Sequence, residues 1–179
     1  MRSDESKGQD NSGSGRVLGI TCTRDRDHRL FLASNSRMPL MRVAAVSRTT
    51  QSQLLAMAQT MTEPKGAVLF RRDETAFGVF LVRKGRISLR LETEKGKVLW
   101  HRIVTRDSIV GLPGTLAGGR YSLTAVTLQK SELAFVSSQA LIDLVKRDPG
   151  TGMELVRALG DEVLQMRDVL VLRTAVREA

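Results

Sequence analysis

The chain has a single cysteine, Cys22, and only two histidines, His28 and His101, among its 179 residues. One cysteine cannot form an intramolecular disulfide, and so few cysteines and histidines exclude the usual zinc-binding patterns. Apolar residues make up 41% of the chain, but they occur in short runs broken by charges. No such run is long enough to cross a bilayer. We therefore expect no disulfide framework, no metal site and no association with a membrane.

The chain opens on a polar segment without the features of a secretion signal. Residues 1–15 are rich in glycine, serine and aspartate and show no apolar periodicity, which is typical of disorder. Residues 16–40 hold scattered apolar positions among charges. We predict a flexible polar and basic tail over residues 1–40, one domain over residues 41–179, and a cytoplasmic protein.

Positive charge predominates, with 28 lysines and arginines, 19 acidic residues and a net charge of +9. This balance favours an anionic partner such as nucleic acid, a nucleotide or an acidic protein. The basic residues are spread over the chain without an aromatic and basic recognition motif, so a solvated charged surface is the alternative. No nucleophile and base stand at a recognised catalytic spacing, and we predict a protein that is not an enzyme.

Between residues 67 and 136 the apolar residues follow the pattern of short strands. Ile87, Leu89 and Leu91 alternate with polar neighbours, as in a strand with one buried face. Gly85 and Gly96 lie in predicted tight turns, where glycine tolerates a positive φ. Short strands with glycine-containing turns, spaced by roughly ten residues, predict a mainly β antiparallel sandwich or barrel.

Helical patterns flank the predicted strands. Residues 49–61 are predicted to form a helix capped by Thr49 or Thr50, and a second helix is predicted from residues 137–138 to residues 148–149. Over residues 150–177 apolar positions recur at steps of three and four and cover a broad surface. A helix of this kind either packs wholly on its own domain or pairs with a second copy. We favour a homodimer formed through it.

Several short segments follow one another in the order found in a known domain family. They are the turn and strand at residues 65–70, the hairpin at 78–89, the approach to a glycine-rich loop at 107–111, the strand at 122–126 and the helix ending at 149. Together they resemble the cyclic nucleotide-binding domain of the Crp/Fnr superfamily, over about residues 45–175. The resemblance implies a double-stranded, jelly-roll-like β-roll with flanking helices and a long C-terminal helix.

The family's phosphate cassette carries two side chains that this chain lacks. The resemblance implies an arginine that bonds to the cyclic phosphate and a glutamate, just after the cassette glycine, that accepts from the ribose hydroxyl. Leu112 stands at the glutamate position and Tyr121 at the arginine position, whereas Arg120, one residue earlier, would point to the other face of a strand. Since each lost bond to a charged group costs on the order of 1.5–3 kcal/mol, we expect cyclic AMP binding to be weak or absent.

Two interpretations of the cassette remain open. In the first, the glycine-rich loop binds a cyclic nucleotide or another small anionic effector. In the second, Leu112, Tyr121 and Leu123 fill the pocket and the fold serves as an interaction module. The candidate ligand-binding residues, which include two where the family's long helix contacts the base, are Gly111, Leu112, Pro113, Gly114, Thr115, Arg120, Tyr121, Ser122, Met166 and Arg167.

The resemblance implies a regulatory role. We predict a non-catalytic, Crp/Fnr-like sensor module with a divergent effector pocket, which acts in signalling or transcriptional regulation and works with a regulatory partner protein. Because the family's DNA-binding domain follows the long helix and the sequence ends at Ala179, we do not expect direct sequence-specific DNA binding. The alternative is a ligand-independent dimeric interaction module whose basic surface binds an acidic protein or nucleic acid.

Overall fold

The computed structural model describes residues 46–94 and 96–167, the helix that continues to Glu178, and short strands between residues 16 and 32. The elements of this described part are β1 (Arg16–Val17), β2 (Ile20–Arg24), β3 (Leu30–Leu32), α1 (Arg48–Ala56), β4 (Gln59–Glu63), β5 (Val68–Phe70), β6 (Gly78–Lys84), β7 (Ile87–Glu92), β8 (Val98–Val104), β9 (Ile109–Val110), α2 (Leu112–Leu116), β10 (Thr124–Thr127), β11 (Ser131–Ser137), α3 (Ser138–Arg147) and α4 (Pro149–Glu178).

Strands β1, β2 and β3 form a small antiparallel sheet in that order. They lie within the segment that the sequence predicts as a flexible tail. The short element is consistent with the scattered apolar residues at positions 16–32. The rest of the tail prediction falls outside the described residues and stays a prediction.

The domain itself is built from two four-stranded sheets. Their strand orders are β5-β10-β7-β8 and β4-β11-β6-β9, and each pairing is antiparallel. Apart from the β7–β8 hairpin, which stays within one sheet, consecutive strands of the domain pass from one sheet to the other, which is the winding of a β-roll. The mainly β, double-stranded roll predicted from the sequence is confirmed.

Alternation along the strands places the apolar side chains between the two sheets. Ile87 and Leu89 of β7 and Val79 and Val82 of β6 are all almost completely buried. The two turns predicted from glycine positions are present, and both glycines have positive φ values, +114° for Gly85 and +76° for Gly96. Removing this apolar surface from water is the main force that holds the sheets together.

The predicted helix over residues 49–61 is wrong in its second half. The helix α1 ends at Ala56, and Met61 lies in β4, where it pairs with Leu133 of β11. As the strand β4, these residues pair with β11 at five positions. This pairing stabilises the chain more than another turn of helix would, so the tertiary contact overrides the local helical pattern. The cap also differs, because the Ser47 hydroxyl accepts from the Thr50 amide at 3.2 Å.

The long helix α4 packs one face on the domain and leaves the other in solvent. Leu155 and Ala158 are buried, and the Glu154 carboxylate accepts from the Thr50 hydroxyl of α1 at 2.8 Å. On the opposite face, Val156 is 58% exposed and Met153 and Val163 are about half exposed. The short helix before it is capped by Ser137, as predicted, and Asp148 separates the two helices.

Candidate functional site

The cassette predicted from the sequence is a five-residue helix, α2, that follows directly on strand β9. Gly111 precedes it with φ +89°, a conformation that a residue with a side chain rarely adopts. A Cβ atom at Gly111 would also lie 2.9 Å from the ring of Tyr121. The turn into α2 is therefore built around the Tyr121 ring.

Tyr121 occupies the interior of the site. Its side chain is 1% exposed, and its ring stacks on Phe70 with centroids 3.9 Å apart and planes tilted by 16°. The hydroxyl donates to the Gly78 carbonyl oxygen at 2.6 Å and accepts from the Gly78 amide at 3.2 Å. Burial raises the pKa of the phenol, while the hydrogen bonds at Gly78 act in the opposite direction. The side chain is thus packed, stacked and hydrogen-bonded in a single position.

Other cassette residues hold α2 against the same strand. Leu112 is 1% exposed, and the Thr115 hydroxyl lies 2.9 Å from the Gly78 carbonyl oxygen, to which it can donate. A Cβ atom at Gly114 would lie 2.5 Å from the Arg120 carbonyl oxygen, so the helix and the following turn are in close contact. Neither Leu112 nor Thr115 presents its side chain to solvent.

Arg120 takes the opposite direction from Tyr121. Its guanidinium donates to the Asp73 carbonyl oxygen at 2.6 Å, in an exposed position outside the roll. Strand β10 begins at Thr124, later than the strand at residues 122–126 that the sequence predicts, so both Arg120 and Tyr121 lie in the turn before it. The backbone amide of Tyr121 bonds to the Glu74 carbonyl oxygen at 2.9 Å, which fixes the ring toward the interior and leaves Arg120 outside.

The space that remains beside Tyr121 is a cavity of about 20 Å³. Room of this size admits about one water molecule, whereas ligand pockets have volumes of roughly 300–1,000 Å³. Of the predicted site residues, Gly111, Pro113, Gly114, Tyr121 and Ser122 line it. Met166 is half-buried and Arg167 exposed on α4, and neither lines the cavity.

Glu162 of α4 lines this cavity and was not among the residues predicted from the sequence. Its Oε2 is buried without a hydrogen-bond partner in the described part of the molecule. Burial raises the pKa of this carboxyl, and the positive charge of Arg102 on β8 counteracts the shift. Glu162 is the only acidic side chain among the residues that line the cavity. Glu162 follows Leu155 by seven residues and Leu159 by three, which places it on the buried side of the helix. This spacing could have identified Glu162 from the sequence.

The described residues offer no other conspicuous centre. They contain no group of three histidine, cysteine, aspartate or glutamate side chains placed to hold a metal ion. In the same part of the chain, no helix is both long and apolar enough to span a membrane.

Comparison with known proteins places the roll in context. Residues 61–148 match the family model "Cyclic nucleotide-binding domain". No curated protein matches the chain in sequence.

Solved structures with this fold include several bacterial regulators. The catabolite activator protein of Thermus thermophilus is 20% identical with a TM-score of 0.64, and the match covers 72% of this chain and 60% of that one. A global regulator of Xanthomonas campestris described as c-di-GMP responsive is 22% identical with a TM-score of 0.59, covering 73% and 64%. The sensor domain of the regulator DNR from Pseudomonas aeruginosa is 20% identical with a TM-score of 0.56, covering 68% and 82%. The chain thus spans less than two thirds of the first two proteins.

Proposed function

Because residues 61–148 match the cyclic nucleotide-binding domain family, we propose that this protein is a regulatory module of that fold whose own Tyr121 fills the effector pocket. In this proposal it regulates through contacts with other protein chains, in signalling or transcriptional control, and catalyses no reaction. The known structures that share the fold include regulators and a sensor domain, which supports the regulatory class.

The observation that carries the proposal is the position of the Tyr121 ring. It lies between Phe70 and the cassette helix, with its hydroxyl bound to Gly78, and leaves a cavity of about 20 Å³. A cyclic nucleotide would have to displace a buried aromatic side chain, and removing such a side chain costs about 3–5 kcal/mol. A ligand shifts this equilibrium only by its difference in affinity for the two states. The filled pocket is therefore favoured over the anion-binding loop.

The charge at the cavity supports the same conclusion. A bound phosphate requires a cation, but the Arg120 guanidinium bonds to Asp73 in an exposed position. The charged residue type that lines the cavity is instead the glutamate Glu162. A phosphate placed here would meet the Glu162 carboxyl, and Arg120 does not point toward it. Binding of an anionic effector at this site would need both side chains to move.

We further propose that α4 forms a homodimer. Met153, Val156, Val163 and Leu164 are each more than half exposed on one described stretch of the helix. A patch of large apolar side chains on a helix marks an interaction site. Pairing with a second copy of α4 would bury this patch, and the sedimentation mass should then be twice that of the 19.7 kDa chain.

The test is thermal unfolding and titration calorimetry with cyclic AMP, cyclic GMP and cyclic di-GMP. A ligand at about 1 mM with a Kd of about 10 µM stabilises the folded state by about 2.7 kcal/mol, which a melting curve detects easily. We expect no shift and no heat of binding with any of the three. Clear stabilisation by one of them would show that Tyr121 yields to a ligand and would overturn the proposal.

A further inference from the structure

A groove of about 570 Å³ lies outside the roll, between α1 and the turns that follow β6 and β8. Leu55 of α1 forms one wall, and Arg83, Lys84 and Arg106 stand on the opposite side. The groove is far larger than the cavity of about 20 Å³ beside Tyr121. Nothing in the cassette reaches it.

The cations at the groove are exposed and weakly held. The side chain of Lys84 is 77% exposed and lies 3.7 Å from a Glu132 carboxylate oxygen. The side chain of Arg106 is 79% exposed and lies 3.5 Å from an Asp107 carboxylate oxygen. Exposed ion pairs contribute only about 0–1 kcal/mol to stability. A carboxylate from another molecule can therefore replace the internal partner at little cost.

Further exposed cations lie on the turns at the end of the roll that includes Gly85, and these turns are bonded to one another. The Leu128 amide donates to the Arg86 carbonyl oxygen at 2.8 Å, and the Gly66 amide donates to the Thr127 carbonyl oxygen at 2.9 Å. The exposed side chains carried by these turns are those of Lys65, Arg86 and Lys130. This end of the roll therefore presents a positive field to an approaching acidic molecule.

The other side chains in the groove argue for a peptide over a nucleic acid. No aromatic residue lines it, so bases have no ring on which to stack. Asp107 and Glu132 interrupt the cations, so the groove offers separate positive points, which suit spaced carboxylates better than a continuous phosphate backbone. Leu55 is half-buried and offers an apolar surface between the charges, which suits an aliphatic side chain.

We propose that this groove docks an acidic segment of a partner protein, in which an aliphatic side chain lies on Leu55 and neighbouring carboxylates pair with Arg83, Lys84 and Arg106. The inference rests on the proposed function, since it names the kind of protein contact through which a module with a filled pocket would act. It uses no residue of the cassette.

The experiment measures the anisotropy of a fluorescein-labelled peptide of about a dozen residues, in which leucines are flanked by glutamates. The protein is the full chain, as wild type and as the triple variant Arg83→Glu, Lys84→Glu, Arg106→Glu. We expect the wild type to bind the peptide with an affinity that falls as salt is added. The groove variant should bind the peptide at least about tenfold more weakly than the wild type. The matched control is Lys97→Glu, Lys146→Glu, Arg157→Glu, which changes the net charge equally at exposed positions outside the groove. It should bind within about twofold of wild type.

Several results would overturn the proposal. The first is that the wild type does not bind the peptide. The second is that both triple variants lose peptide affinity equally. The third is that the groove variant loses affinity for a labelled single-stranded DNA but keeps its affinity for the peptide. Backbone amide NMR shifts of the wild type with unlabelled peptide provide a second measurement that does not depend on variants. Shifts should centre on Gly85, Arg106 and Ser108, and shifts confined to α2 would contradict the docking site. A wild type that binds both peptide and cyclic nucleotide overturns the proposed function and leaves this inference standing.

Discussion

Two spaces border strand β9, and they differ in almost every physical property. Ile109 separates them, because it lines both the cavity inside the roll and the groove outside it. The inner space is about 20 Å³ and is lined in part by the rings of Phe70 and Tyr121, and the outer one is about 570 Å³ and bordered by exposed charges. In this domain the larger space therefore lies outside the roll, while the Tyr121 ring occupies the interior beside the cassette helix.

The difference follows from what each set of side chains contributes. Around Tyr121, rings of Phe70 and Phe77 lie with centroids 3.9 and 5.5 Å away, so the cavity wall is part of the hydrophobic core. Around the groove, the charged side chains make only exposed ion pairs. The inner site should therefore determine stability, and the groove should be free to change partners.

The largest expected effect is that of Tyr121→Ala, which empties the inner site. Loss of the ring and the cavity left behind should lower the free energy of unfolding by about 3–5 kcal/mol. Urea denaturation of the variant and wild type measures the difference. A loss below about 1 kcal/mol would mean that the ring is not packed as described here.

Tyr121→Phe keeps the ring and removes only the hydroxyl, so it separates packing from hydrogen bonding. The Gly78 carbonyl still has the Thr115 hydroxyl within reach at 2.9 Å, but the Gly78 amide loses its side-chain acceptor. We expect a loss of about 0.5–1.5 kcal/mol by the same denaturation measurement. A loss as large as that of the alanine variant would contradict the role given to the ring stack.

The third prediction concerns the pH dependence of stability at Glu162. Because burial raises the pKa of its carboxyl, the folded state keeps a proton that the unfolded state releases first. The contribution of Glu162 to stability should therefore be fully present below the ordinary glutamate pKa and be lost as the pH rises through the raised value. Melting temperatures across this range should show a smaller fall in Glu162→Gln, while Asp161→Asn, an exposed neighbour, should keep the wild-type slope. Equal slopes in all three proteins would exclude Glu162 as the source.

The smallest effects are expected at the groove. Arg83→Ala and Arg106→Ala should each change the free energy of unfolding by less than about 0.5 kcal/mol, since exposed charges contribute little to the fold. The same urea measurements apply. Losses comparable to that of Tyr121→Phe would mean that these cations hold the turns together and are not free for a partner.

Much of the architecture could be predicted from residues whose pattern is local. The alternation of Ile87, Leu89 and Leu91 predicts β7, and Gly96 predicts the hairpin turn after it, as the structure has them. The end of α1 could not be predicted in this way, because Met61 pairs with Leu133 some seventy positions away in the sequence. Local propensity carries no information on such a partner.

The site was predictable in its composition and less so in its geometry. Aligning Tyr121 with the family's arginine indicated a lost phosphate contact, but the choice between an open and a filled pocket depended on where the ring points. That direction is set by the bond between the Tyr121 amide and the Glu74 carbonyl, which no sequence pattern reveals. Glu162 was missed because the helix was interpreted through its apolar positions alone.

Ultraviolet titration of the Tyr121 phenol tests whether this side chain stays inside the proposed effector pocket. Tyr121 is the only tyrosine in the chain, so the tyrosinate absorbance reports on this side chain alone. We expect a pKa above the ordinary value of about 10, ionisation only together with unfolding, and no change when cyclic AMP is added. Reversible ionisation near the ordinary value in the folded protein, or a pKa that shifts on addition of cyclic AMP, would contradict it.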